Sequence, residues 1–138
     1  MFHKERDADY FNNQSDDHFP GLLGVKITQV QEGMLEGEMP IKKEFFAPNG
    51  YLHAGSIVTF ADSLAGYSSV AHLPDKAKSF TTIELKSNFV GATKEGNLIG
   101  KCEAEHLGRT THIWRVSVHD GITQKKIALF ICTQLIIY

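Results

Sequence analysis

From Ala54 to about Ala71, apolar and small residues (Ile57, Val58, Phe60, Ala61, Leu64, Ala65, Tyr67, Val70) occupy most of the helical wheel. That pattern predicts a helix enclosed by other structure on nearly every side, ending near His72 because Pro74 cannot continue it. The chain after it shows no second helical period and divides at turn signals into four predicted strands, roughly Ser79–Val90, Leu98–Leu107, Thr110–His119 and Lys125–Tyr138. The breaks are Lys94-Glu95-Gly96-Asn97, Gly108-Arg109 and Asp120-Gly121, the last being the strongest hairpin signal. Ile127–Cys132 is apolar at every position, which predicts a central strand covered on both faces.

Upstream of the helix, Val25, Ile27 and Val30 precede a Gln31-Glu32-Gly33 turn, and Leu35–Ile41 follow it, predicting a two-stranded hairpin. Lys42–Tyr51 reads as an irregular connection marked by Pro48 and Asn49-Gly50. Ser15-Asp16-Asp17 reads as the N-cap and acidic first turn of a short helix through Phe19, Leu22 and Leu23, closed by Gly24. Residues 1–14 lack a clear period and read as a tail or a short surface helix, leaving 15–138 as a single domain. One helix can cover only one face of the sheet. The other face calls for a neighbouring chain, so an oligomer is expected.

The 14 basic and 16 acidic residues give a net charge of −2 and form no block of one sign, which argues against nucleic acid as a partner. Cys102 and Cys132 stand in apolar, strand-like stretches without ligand spacing and are expected to be buried thiols. His72, His106, His112 and His119 show no ligand spacing either, so no metal or cofactor is expected. Met1–Asn13 is too polar for a signal or anchor, and Ala54–Pro74 is interrupted by Asp62, His72 and four serines, too polar for a lipid-facing span. A cytoplasmic location away from membranes is the expectation.

Between Glu44 and Asp75 the only formal charge is Asp62. A lone carboxylate in an apolar segment is costly to bury unless something uses it, which makes it the candidate for chemistry. His53 precedes it by nine residues. The runs Pro48-Asn49-Gly50-Tyr51-Leu52-His53-Ala54-Gly55 and Phe60-Ala61-Asp62-Ser63-Leu64-Ala65-Gly66 resemble the signature of hotdog-fold thioesterases of the phenylacetate-degradation (PaaI-like) type, in the 4-hydroxybenzoyl-CoA thioesterase superfamily. Thr81–Ala92 is similar to that family's third strand. The resemblance spans about residues 15–138. It implies an α+β hotdog fold, an antiparallel sheet of about six strands wrapped around one long helix.

The implied activity is hydrolysis of acyl-CoA thioesters, with Asp62 as general base or nucleophile and the backbone N–H of Ala54, at the Ala54-Gly55 helix opening, polarising the carbonyl. His53 would fix the loop before the helix. If Ala54–Asp62 is helical, the acid lies about 12 Å along the axis from the helix start, too far for both to touch one carbon. The resemblance resolves this with a two-fold interface, one chain giving the helix N-terminus and the other the acid, hence a homodimer with shared sites and a homotetramer as a dimer of dimers. Two positions depart from the family pattern. The assisting amide falls on Ala47, with Asn49 as a substitute. The hydroxyl one turn after the acid falls on Gly66, with Ser63, Ser69 and Thr81 as substitutes. Arg109, Lys86 and Lys94 are candidates for a CoA phosphate. The competing readings are a non-catalytic acyl-CoA sensor and a hotdog hydratase or dehydratase.

Overall fold

In a computed structural model describing residues 1–138, the chain begins with two short helices, α1 (Ala8–Ser15) and α2 (Phe19–Leu22). Then come the hairpin strands β1 (Lys26–Gln31) and β2 (Met34–Pro40) and the long helix α3 (Ala54–Ala71). Four strands complete the chain: β3 (Ser79–Phe89), β4 (Asn97–Leu107), β5 (Thr111–Asp120) and β6 (Lys126–Ile137). All six form one sheet in the order β1-β2-β4-β5-β6-β3, antiparallel throughout. The sheet curls around α3, which touches every strand. This is the α+β hotdog arrangement, and the bounds of α3 are those its apolar pattern predicts.

Phe60, Ala61, Leu64 and Ala65 on α3 pack against Leu35 and Met39 of β2, Leu98 and Cys102 of β4, Trp114 and Val116 of β5 and Phe130 of β6. Two glycines paired across β2 and β4, Gly37 and Gly100, let the helix approach this closely. A Cβ on Gly100 would clash with Leu64 Cδ1 and stand 2.9 Å from the Phe60 ring. Gly100→Ala is therefore expected to destabilise the fold by about 1–3 kcal/mol, the usual range for overpacking a filled core. A lower denaturant midpoint with an unchanged m-value would show it.

Several local expectations are revised. The short helix through Phe19 and Leu22 forms as α2, but its N-cap is His18, with no side-chain cap bond, and not Ser15; the earlier helix α1 is capped by Asp7, which accepts from Tyr10 N–H at 2.9 Å. Ser15 instead closes α1, buried, with its hydroxyl bonded to Phe11 O and paired with Tyr67. Of the two readings of residues 1–14, a tail or a short helix, the helix forms, as α1. Phe11 is in the core, His3 N–H donates to Ala71 O at 2.9 Å, and the Arg6 guanidinium donates to Val70 O, so the N-terminus closes off the carbonyl end of α3. The turn after β5 is longer than a two-residue hairpin: Asp120 Oδ1 accepts from Ile122 and Thr123 N–H, and Gln124 takes a positive φ. Strand β6 is not central either. It lies one strand from the edge, because β3, the strand that follows α3, returns beside the last strand. Its inner side chains Ala128, Phe130 and Cys132 are core, while Leu129, Ile131, Leu135 and Ile137 are exposed on the outer face.

Two of the histidines are buried packing residues. His72 Nδ1–H donates to Ser68 O at 2.7 Å and Nε2 accepts from Gly33 N–H at 2.8 Å, so both nitrogens are matched only by the neutral ring. His112 lies under Trp114, where burial, reinforced by the neighbouring His72, pushes its pKa down to about 4. An unfolded histidine takes its proton near pH 6.5. The stability contributed by the two neutral rings is thus complete above about pH 6.5 and is lost as pH falls toward 4, since the unfolded state then binds more protons. Denaturation midpoints at pH 7 and pH 5 should differ less in His112→Phe than in the parent.

Candidate active site

The loop before α3 prepares one backbone donor. Ala47 N–H donates to Tyr51 O at 2.7 Å and His53 N–H to Phe45 O at 2.9 Å, which sets His53 in extended backbone (φ −61°, ψ 131°) as the N-cap. Its Nδ1 accepts from Gly55 N–H at 2.8 Å, and its carbonyl accepts from Ser56 N–H at 2.9 Å. Of the first turn's N–H groups expected to be open at Ala54-Gly55, that of Gly55 is therefore occupied, by the His53 ring. Ala54 N–H has no partner in the chain. Ala54 lines a cavity of about 420 Å³ together with Asn49, Tyr51, His53, Phe89 and Thr93 among others. Asn49 stands at this cavity with Oδ1 held by Tyr51 N–H at 3.2 Å. Lys94 lies 5.7 Å from the Tyr51 ring, at the same end of the molecule.

Two turns along α3, Asp62 faces a second cavity of about 400 Å³ walled by Phe19 and Pro20 of α2, Ser63 and Tyr67 of α3, and Phe80 of β3. Its Oδ1 is buried and has no hydrogen-bond partner. Burial holds the carboxyl above the ordinary carboxylate range, with the nearby Thr82 hydroxyl as the opposing influence. That hydroxyl also lies 2.8 Å from the Gln134 side-chain amide, so Thr82 stands between the carboxyl and a buried amide. Cys132 is also close: burial first, and then the Asp62 charge, push its thiol up to about 12, which leaves it an inert neighbour.

The other expected site residues separate. Ser63 lines the Asp62 cavity, but its hydroxyl donates back to Thr59 O at 2.6 Å. Thr81 pairs with Leu135 on the outer side of the sheet and is exposed; strand alternation puts Thr82, not Thr81, beside Asp62. At Gly66 the space of a side chain is taken by the Phe80 ring, whose Cζ would be 3.1 Å from an added Cβ. Arg109 belongs to a shallow basin with Asp75, Lys76 and Tyr138, beyond the carbonyl end of α3 and apart from both cavities. Lys86 pairs with Ile131 on the outer face. Thr82 and Gln134 are not singled out by the sequence reading, although Gln134 shows the same kind of signal as Asp62, a polar residue in an apolar run. No three His, Cys, Asp or Glu side chains gather as metal ligands, and no helix is long and apolar enough to cross a membrane.

Comparison with known proteins places this arrangement. Residues 49–127, which carry the Ala54 opening and Asp62, match the family model of the thioesterase superfamily. The chain belongs to that superfamily, and is an enzyme of the thioester-hydrolase class. It is 26% identical over 109 residues to the 1,4-dihydroxy-2-naphthoyl-CoA hydrolase of Escherichia coli, covering 79% of each chain. To the proofreading thioesterase EntH of Klebsiella pneumoniae it is 28% identical over 109 residues, again 79% of each. Among solved structures, a mutant of thioesterase PA1618 from Pseudomonas aeruginosa superposes with a TM-score of 0.92 at 24% identity, over 99% of this chain and 98% of that one.

Proposed function

We propose that the protein hydrolyses acyl-CoA thioesters to the free acid and CoA, at sites shared between two copies of the chain. The observation that carries this reading is the division of one α3 between two cavities, one lined by Ala54, whose N–H is unpaired, and the other by Asp62, whose Oδ1 is buried without a partner. Eight helical residues separate them by about 12 Å, so one chain cannot bring both to a single carbonyl. In the dimer the thioester oxygen accepts from Ala54 N–H of one chain. Asp62 of the other takes a proton from attacking water or adds to the carbonyl carbon itself. The C–S bond then breaks: in the base route the proton held by Asp62 passes to the departing sulfur, and CoA leaves as the thiol; in the nucleophilic route an acyl-Asp62 anhydride remains, and its hydrolysis by water frees the acid, restores the carboxylate and yields the proton that the thiolate takes up. No bound cofactor takes part in these steps.

The unpaired edge of β3 supports the dimer. This eleven-residue edge strand exposes Leu85 and Phe89, on the side that faces α3, and an unpaired edge of that length invites another strand. The exposed Leu129, Ile131, Leu135 and Ile137 would serve a second contact, making a dimer of dimers. Lys94, at the Ala54 end, is better placed than Arg109 for the anionic part of CoA. The two free thiols, both buried, fit a reducing cytoplasm. That a similar protein is named as the hydrolase of a CoA ester supports the substrate class.

The hydratase reading loses ground because His53 spends Nδ1 on Gly55 N–H as a helix cap and does not pair with an acid. The sensor reading draws on Ala47 and Gly66, where polar assistants are missing, and a direct assay separates it from hydrolysis. Purified protein incubated with aryl-, short-chain and long-chain acyl-CoAs is expected to release free thiol from at least one of them. Binding without thiol release across the panel would favour the sensor.

A further inference from the structure

Val58, Asp62, Gly66 and Val70 follow one another at four-residue intervals along α3, which puts them in one row on the helix. All four line the same cavity, with Phe19 and Pro20 of α2 and Phe80 of β3 as its further walls. From Asp62 to Val70 the row runs for about 12 Å along the axis, so the cavity is a trough that continues well past the acid.

The hydroxyls beside this row have their protons engaged within the chain. Thr59 donates to Gly55 O at 2.8 Å and Ser63 to Thr59 O at 2.6 Å. Ser15 donates to Phe11 O, a carbonyl that can only accept, which leaves the Tyr67 hydroxyl as the donor in its pair with Ser15. No hydroxyl of the trough therefore has a proton free for a polar substituent, and its remaining walls are apolar. At Gly66 the trough meets the Phe80 ring. Glycine weakens a helix interior relative to alanine, and here it makes room. The ring lies where a side chain would be, with Cζ 3.1 Å and Cε2 3.7 Å from the position of an added Cβ. These are outer atoms of the ring, so a methyl group at position 66 would press the ring into the open space it borders.

We infer that Gly66 and Phe80 determine which acyl groups the enzyme accepts: the trough beyond Asp62 receives an apolar acyl group, and the Phe80 ring, seated on Gly66, sets the width left for it. The inference rests on the reading of Asp62 as the carboxylate that acts at the thioester carbonyl, because the group bonded to that carbon then lies beside the acid. It goes beyond that reading by naming the part of the substrate that is selected and the two residues that select it. With glycine at position 66, the trough admits a flat aryl ring as well as a linear chain.

The test compares benzoyl and hexanoyl groups, which are similar in carbon number and differ in width. Thiol release is measured with the two CoA esters. Binding is measured by calorimetry with the matching ketones, in which a methylene between carbonyl and sulfur blocks hydrolysis. In Gly66→Ala the displaced ring should lower the benzoyl-to-hexanoyl ratio, in affinity and in kcat/KM, by roughly 10-fold or more, the scale on which one methylene acts in an apolar pocket. Adding Phe80→Leu should return the ratio to within about threefold of the parent, since leucine has no atoms corresponding to Cε2 and Cζ and the two changes act through one contact. A ratio unmoved or raised in Gly66→Ala, an equal loss of both acyl groups, or no recovery in the double variant would overturn the inference. Binding ratios that move as expected without thiol release from either ester would keep the pair as the selector and sink the proposed hydrolysis. Thiol release without such movement would keep the hydrolysis and sink the pair, and a parent that neither binds nor cleaves either compound would end both.

Discussion

Asp62→Ala is expected to lower acyl-CoA turnover by roughly 10²-fold or more, the scale of losing a positioned base, while leaving the protein as stable as the parent or more so. The two effects have one cause. Burial raises the folded-state pKa of Asp62, so the folded protein resists the ionised form that the reaction needs. With a folded value above the unfolded one, the carboxylate contributes no stability above its own titration. It opposes folding there, and the opposition disappears as pH falls and the group takes its proton. Removing it relieves that strain and removes the base together. Thiol release and denaturant midpoint measured on the same samples decide the point. Loss of both activity and stability would make Asp62 a structural residue, and retained activity would end its candidacy. In the parent enzyme the rate should fall on the acid side as Asp62 is protonated, with the midpoint above the usual carboxylate range.

Ala54→Pro is the matching experiment at the other end of α3. Proline at the first helical position is well tolerated, and His53, at φ −61° and ψ 131°, already has the extended backbone that a residue before proline requires. The substitution thus removes the one free N–H and little else. The expected loss is about 10²–10³-fold in kcat, the range for deleting an oxyanion donor. Combined with Asp62→Asn in separate chains, it also tests how the site is built. In a hybrid dimer, one site carries both lesions and the other none, so refolding the two inactive proteins together should restore about a quarter of parent activity. A site contained within one chain would show no recovery in the mixture.

Much of the fold is legible locally. The helix has its own period and Pro74 as its stop, the strands are separated by turn residues, and Asp62 stands out as a charge without neighbours in sequence. The helix rise alone shows that Ala54 and Asp62 cannot share a carbonyl within one chain. These features depend on residues close together along the backbone, where spacing translates into geometry by fixed rules.

Other features depend on which strand lies beside which, and no short run of residues encodes that. The place of β6, one strand from the edge, follows from β3 returning next to it. That Thr82, and not Thr81, stands by Asp62 follows from the face β3 turns to the helix, in a strand whose pairing with β6 shifts register between Thr82 and Glu84. The Gly55 N–H seemed open until the loop turned the His53 ring onto it. The sequence by itself determined the helix, the strands and the acid, since each is written in neighbouring side chains. The tertiary structure alone decided which groups surround that acid, because pairing and packing between distant segments set which side chains of β3 and β6 lie beside it.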